Sequence, residues 1–248
     1  MKRILILGGT GEAVQLAAKA SMDGVEIITS LAGRTRNPIN PVGEFRIGGF
    51  GGQTGLVNYL QNFHIDVLID ATHPFAAQIT LNAAAAAKEC NIPHLMLIRP
   101  VWEKLPNDLW LEVDSIEDTA TALQNQAKRV FLTIGRQELT AFAHLREVWF
   151  LMRMIDPPLA DAVVPQGMFL YNRGPFTLEQ ERDLLLHYNI DTLVSKNSGG
   201  MATYAKIAAA RQLGIKVVMV KRPPIPLGEQ VSDVDSAIAW LINKIIRE

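Results

Sequence analysis

One cysteine, Cys90, stands in 248 residues. A single thiol excludes an intrachain disulfide and any metal centre built from cysteines. Its place after an alanine-rich helical stretch marks it as a structural thiol rather than a nucleophile. An excess of charge is missing too. With 24 Lys and Arg against 25 Asp and Glu, the formal net charge is −1, which makes no case for nucleic acid or a membrane surface as partner. No apolar run reaches the roughly 18 to 20 residues that a bilayer span needs, and the opening Met-Lys-Arg-Ile-Leu enters a strand rather than a signal peptide. The expectation is a cytoplasmic protein with no membrane partner.

What the chain does have is the alternation of an α/β protein. A hydrophobic fraction of 48% with 20% charged residues is ordinary for that class, and the length accommodates one or two domains. The first strand, Lys2 to Leu7, runs directly into Gly8, Gly9 and Gly11, and a helical pattern (Ala13, Leu16, Ala17, Ala20) follows at once. Glycine permits the turn, and unpaired N–H groups at the helix start attract an anion. Two readings stay open here: a dinucleotide phosphate site, or a structural strand-to-helix turn. The match to G-x-G-x-x-G is imperfect, because Val14 stands at the third glycine position.

A second strand, Val25 to Ser30, leads to Arg34 and Thr35. An acid at this point suits the ribose hydroxyls of NAD, whereas a base suits the 2′-phosphate of NADP; a solvated loop arginine is the alternative. Gly48-Gly49-Phe50-Gly51-Gly52 either wraps a ligand or serves as a connection. The strand Ile65 to Asp70 ends in Ala71-Thr72-His73-Pro74-Phe75, with His73 either a structural hydrogen-bonder or a ligand-site residue. After a further strand, His94 to Ile98, the stretch Val101 to Pro106 interrupts the rhythm and is expected as a linker. The alternation then resumes, with a helix from Ser115, strands at Val130 to Ile134 and Val148 to Met152, and a helix from Leu178 capped by Thr177.

The chain echoes itself. Phe63 to Leu68 aligns with Tyr188 to Leu193, and Asn91 to Pro100 aligns with Gly214 to Pro223. The expectation is therefore two Rossmann-like α/β domains with mainly parallel sheets and an interdomain cleft. Their bounds are taken as 1–100 and 101–248, with the packing of the helix 236–246 left open. In this alignment Thr72-His73-Pro74-Phe75 corresponds to Asn197-Ser198-Gly199-Gly200, and both loops follow strand ends, where open α/β sheets bind ligands. Lys196-Asn197-Ser198-Gly199-Gly200-Met201 suits an anion, with Ser198 placed to cap the next helix; an ordinary capped helix start is the other reading.

Taken together, Gly8-Gly9-Thr10 with Glu12, Leu31-Ala32-Gly33-Arg34-Thr35, Gly48 to Gly52, Asp70 to Phe75, Gly135-Arg136, Arg173-Gly174-Pro175-Phe176 and Lys196 to Gly200 resemble the precorrin-6A reductase family of corrin ring biosynthesis. The resemblance covers nearly the whole chain. It implies a two-domain enzyme that reduces one carbon–carbon double bond of a tetrapyrrole, with NADPH (or NADH) as cofactor and no protein-bound metal. The cofactor residues it implies are Gly8, Gly9, Thr10, Gly11, Glu12, Arg34 and Thr35, then Gly49, Gly51, Thr72 and His73. For the carboxylate-rich macrocycle it implies the bases Arg136, Lys196 and Arg222, the loop Asn197 to Gly200, and apolar cover from Phe75, Met201 and Tyr204. His73 and Lys196 are candidates for proton delivery, while solvent or the macrocycle's own nitrogens would need no residue. Two alternatives stand beside it: an S-adenosylmethionine-dependent methyltransferase of the same pathway, disfavoured by a base after the second strand, and a non-catalytic NAD(P)-binding module. Oligomeric state is not legible.

Overall fold

The computed structural model describes residues 1–33 and 41–246. It divides into two compact units, Met1–Pro100 with Pro223–Glu248, and Val101–Arg222. The first unit begins with β1 (Lys2–Leu7), α1 (Gly11–Ala20), β2 (Val25–Leu31), β3 (Glu44–Ile47), α2 (Gly52–Asn62), β4 (Val67–Asp70), α3 (Ala77–Cys90) and β5 (His94–Leu97). The second holds β6 (Trp110–Val113), α4 (Ile116–Leu123), β7 (Arg129–Thr133), a 3₁₀ segment (Arg136–Phe142), β8 (Trp149–Met154), β9 (Gly167–Tyr171), α5 (Leu178–His187), β10 (Thr192–Lys196), α6 (Ala205–Leu213) and β11 (Lys216–Val220). The chain then returns to the first unit with β12 (Glu229–Val231) and α7 (Val234–Ile246).

Each unit is one six-stranded sheet, ordered β3-β2-β1-β4-β5-β12 in the first and β9-β8-β7-β10-β11-β6 in the second. Every strand pairing among the described residues is parallel. Both sheets have the doubly wound order in which the chain reverses direction across the sheet, between β1 and β4 in the first and between β7 and β10 in the second. A parallel sheet covered on both faces needs apolar side chains on both, which is why the central strands read as unbroken runs. In β1, Ile4 and Ile6 join the core under α1 and α7, while Leu5 and Leu7 join the core under α2 and α3. In β7, Val130 and Leu132 pack with Ala120 and Leu123 of α4, and Phe131 faces α5 and α6.

The internal echo holds in register. Leu68 of β4 lies opposite His94 of β5, and their aligned counterparts Leu193 and Val217 lie opposite each other between β10 and β11. The helix ends repeat as well. His64 and Asn189 both have φ +50°, and Asn91 and Gly214 close α3 and α6 at φ +54° and +63°, the left-handed stop that ends many helices.

The closing strand and helix of each repeat join the other unit. β6, which follows β5 in the chain, pairs with β11, and β12, which follows β11, pairs with β5. This corrects the expected second domain of 101–248. Val234, Ala237 and Leu241 of α7 complete the core against α1 of the first unit, so the packing of that helix is decided by an apolar stripe whose partner lies more than 200 residues away in sequence. The expected linker is also corrected. Trp102 is 7% exposed; its backbone N–H and C=O are held by the Asn197 side chain at 2.8 and 3.0 Å, and its indole N–H donates to Gly200 O at 2.7 Å. The stretch packs as part of the second unit. The strands β6, β9 and β12 went unread because they are short, half-exposed edge strands with no buried run.

Candidate active site

In the first unit the reversal point lies between β1 and β4, and the loops after these strands meet there. Thr10 caps α1 by accepting from Ala13 N–H at 3.1 Å, and its hydroxyl donates to Ala71 O at 2.8 Å. One side chain therefore starts the helix and ties the glycine turn to the loop after β4. Gly9 has φ +110°, which excludes most side chains, and a Cβ built at Gly9 or Gly11 meets nothing within 4 Å. At Gly8 a Cβ would come within 3.0 Å of Thr29 Cγ2, so that glycine serves close packing. The first-turn amides of a helix have no partners within the helix. An open glycine cradle leading into such amides fits the phosphates of a dinucleotide.

Glu12 stands in the first turn of α1. Its carboxylate accepts from Arg99 Nη1 at 2.8 Å, which links the first turn of α1 to the end of β5. Thr72 is engaged from below: its N–H and hydroxyl both donate to Asp70 Oδ1, at 2.9 and 2.6 Å. His73 is exposed, and its Nδ1 accepts from Phe75 N–H at 3.2 Å. An accepting Nδ1 leaves the proton of the neutral ring on Nε2. Gly49 and Gly51 lie in an exposed loop organised by Arg46, which sequence reading missed. The Arg46 guanidinium donates to Ser30 Oγ, Gly48 O and Gly49 O. Arg34 and Thr35 lie outside the described residues.

The second unit reverses between β7 and β10, and there the chemistry is charged rather than glycine-lined. Lys196 at the end of β10 pairs with Glu138 Oε1 at 2.5 Å, and Glu138 Oε2 accepts from Gly135 N–H at 3.3 Å. A carboxylate of the chain thus sits over the start of the 3₁₀ segment, the position that a phosphate takes in a nucleotide-binding unit. Glu138 was not singled out in the sequence, although its place three residues after Gly135 is capping spacing. Arg136 Nη1 donates to Pro157 O at 3.0 Å.

Other residues expected to meet substrate are also engaged with the protein itself. The Asn197 amide clamps Trp102, as described above. Arg222 extends its fork to Asn197 O at 2.8 Å and Ser198 O at 3.0 Å. Ser198 is buried and does not cap the next helix, because residues 201–204 form a turn and α6 starts only after Tyr204, with no side-chain cap. The result is a rigid mount for Gly199 and Gly200, consecutive residues at φ +68° and +74°. Beyond them Met201 is 80% exposed. The Tyr204 hydroxyl accepts from Arg211, whose guanidinium is also bidentate to buried Asp108 at 2.9 and 3.1 Å.

Two doubly wound sheets, one with an open glycine cradle at its reversal point and one with a lysine–glutamate pair, define an α/β scaffold of the dinucleotide-binding type. A family model described as precorrin-6x reductase CbiJ/CobK matches residues 3–242. A precorrin-6A reductase from Rhodococcus erythropolis is 52% identical over 97% of this chain and 98% of its own length. One from Mycobacterium tuberculosis is 44% identical over 97% and 98%. A solved structure described as CobK precorrin-6A reductase superposes with a TM-score of 0.92 at 38% identity, covering 98% of this chain and 97% of that one. The chain belongs to the precorrin-6A reductase family, oxidoreductases of cobalamin biosynthesis that use a pyridine nucleotide. The methyltransferase and non-catalytic alternatives give way to this.

Proposed function

We propose that the protein reduces a carbon–carbon double bond of precorrin-6A to give the 6B form, with NADPH as reductant. The observation that carries the reading is the 52% identity over 97% of the chain to a protein named precorrin-6A reductase. In this reading the bound nicotinamide supplies the hydride. Gly9, Gly11 and the first amides of α1 hold the pyrophosphate, and Gly8 and Thr10 keep the turn in shape. Glu12, paired to Arg99, does not bring an uncompensated negative charge to the phosphates. Gly49, Gly51, Thr72 and His73 border the same carboxyl ends; the other expected cofactor residues, Arg34 and Thr35, lie outside the described residues.

The second unit takes the macrocycle. Arg136 and Lys196 meet its carboxylates, each contact contributing about 1.5–3 kcal/mol as a charge-assisted hydrogen bond. Asn197, Ser198 and Arg222 act by holding Gly199 and Gly200 in place, so that backbone rather than side chain faces the ligand there. Met201 and Tyr204 are the apolar side chains this unit offers to the ring faces, and Phe75 is the apolar candidate of the first unit. A proton must also reach the carbon next to the hydride acceptor; His73 and Lys196 are the candidate donors in this reading, with solvent and the macrocycle's own nitrogens as sources that need no residue. The test is steady-state turnover with NADPH and NADH against metal-free and cobalt-bound precorrin-6A. Oxidation of NADPH that depends on the metal-free substrate supports the reading, and no turnover in any of the four combinations sinks it.

A further inference from the structure

We propose that Arg46 is a specificity-determining residue of the nucleotide site, the guanidinium that reads the 2′-phosphate. This rests on the reading that the first unit binds the dinucleotide. Arg46 lies opposite Ser30 in the β2–β3 register, one residue before β2 ends, and the end of the second strand is where units of this strand order contact the adenosine ribose. The described residues that follow, Leu31, Ala32 and Gly33, include no acid to accept ribose hydroxyls. Where an NAD site presents a carboxylate, this one presents the Ser30 hydroxyl, and that hydroxyl already accepts from Arg46 Nη1 at 2.8 Å.

The side chain is fixed before any ligand arrives. Nη1 also donates to Gly48 O at 2.9 Å and Nη2 donates to Gly49 O at 3.1 Å, while the guanidinium lies 4.1 Å from the Phe50 ring centroid and 5.2 Å from that of Tyr59. A guanidinium has five N–H donors. Among the described residues these three bonds leave Nε–H and one Nη2–H, the pair along one edge that forms a bidentate fork on phosphate oxygens. The hydrogen bonds of Arg46 among the described residues all go to neutral oxygens. An aromatic face and two loop carbonyls hold the group in place, and its remaining edge matches a phosphomonoester.

The test is calorimetric titration of wild type, Arg46→Gln and Arg46→Lys with NADPH, NADH, 2′,5′-ADP and 5′-AMP. Loss of a charge-assisted fork is expected to weaken NADPH and 2′,5′-ADP in Arg46→Gln by about tenfold to a hundredfold, and NADH and 5′-AMP, which feel only the loosened Gly48–Gly52 loop, by a clearly smaller factor. Arg46→Lys keeps the charge and loses the fork, so the NADPH-to-NADH ratio falls by less than in Arg46→Gln. Equal losses for phosphorylated and unphosphorylated ligands overturn the proposal, because a residue that only supports the Gly48–Gly52 loop affects both alike. An unchanged NADPH-to-NADH ratio overturns it too. If wild type binds neither dinucleotide, the functional reading itself fails, a result distinct from wild-type binding with no discrimination.

Discussion

Removing one partner of the ion pair between Arg153 and Glu181 is expected to destabilise the second unit strongly. Glu181, in the first turns of α5, is 1% exposed, and the Arg153 side chain on β8 is 9% exposed. Arg153 Nη1 donates to Glu181 Oε1 at 2.5 Å, and its guanidinium lies 4.6 Å from the Phe131 ring centroid and 3.9 Å from that of Phe176. Arg153 Nε and Glu181 Oε2 are buried with no further hydrogen bond. Glu181→Ala therefore leaves a cation enclosed by aromatic rings, a loss of about 3–5 kcal/mol. For a chain of this size that lowers the melting temperature by roughly 6–20 °C. Replacing both residues with apolar ones, Arg153→Met with Glu181→Leu, removes the desolvation penalty together with the attraction and is expected to restore stability to within about 1 kcal/mol of wild type. Two units need not unfold together, so the assay must report on one. Trp102, Trp110 and Trp149 all lie in the second unit and only Trp240 in the first, which makes tryptophan fluorescence during urea unfolding a suitable probe. Single variants that lose less than about 1 kcal/mol, or a double variant that loses the sum of the singles, would refute the reasoning.

Other expectations follow from single contacts. A Cβ at Gly55 would lie 1.6 Å from Phe50 O, so Gly55→Ala must displace the start of α2; thermal unfolding should show a loss of at least about 1–3 kcal/mol. Leu241 of α7 is fully buried in the first unit's core, and Leu241→Ala is expected to lose about 2–5 kcal/mol, seen as an earlier Trp240 transition with the second unit unmoved. Burial holds the His94 imidazole below its ordinary pKa, with the Asp70 carboxylate opposing the shift. The folded state then binds a proton less readily than the unfolded chain, so the stability of the first unit is intact above about pH 6.5 and falls as pH drops below it, by up to about 1.4 kcal/mol per pH unit. His94→Gln should flatten that dependence in urea midpoints measured from about pH 8 to 5; an equal slope in the variant would assign the effect to other groups.

Both α/β units, most of the central strands and the echo between the two halves were legible, because buried parallel strands demand unbroken apolar runs and helices against them demand small or periodic residues. The echo extended to backbone detail, since Asn91 and Gly214 align in the sequence and both end helices in the left-handed region. The charged residues were read less well. Arg222 and Asn197 stand at strand ends where a base or amide suggests a ligand; Arg222 donates to the carbonyls of Asn197 and Ser198, and the Asn197 amide donates to Trp102 O. Arg46, inside a short edge strand, gave no signal beyond the glycines that its guanidinium holds.

By itself the sequence determined the class of fold, the family and the order of the loops around each sheet. These depend on residue type and local spacing, which the chain carries in one dimension. Tertiary structure decided which sheet received β12 and α7, and whether each polar side chain turns toward a ligand or toward the protein. Strand exchange is set by which exposed sheet edge and apolar stripe meet, and the orientation of a guanidinium by which carbonyls and rings lie within about 3–4 Å. Both depend on residues far apart in the chain, as with Leu241 against α1 and Arg222 against Ser198.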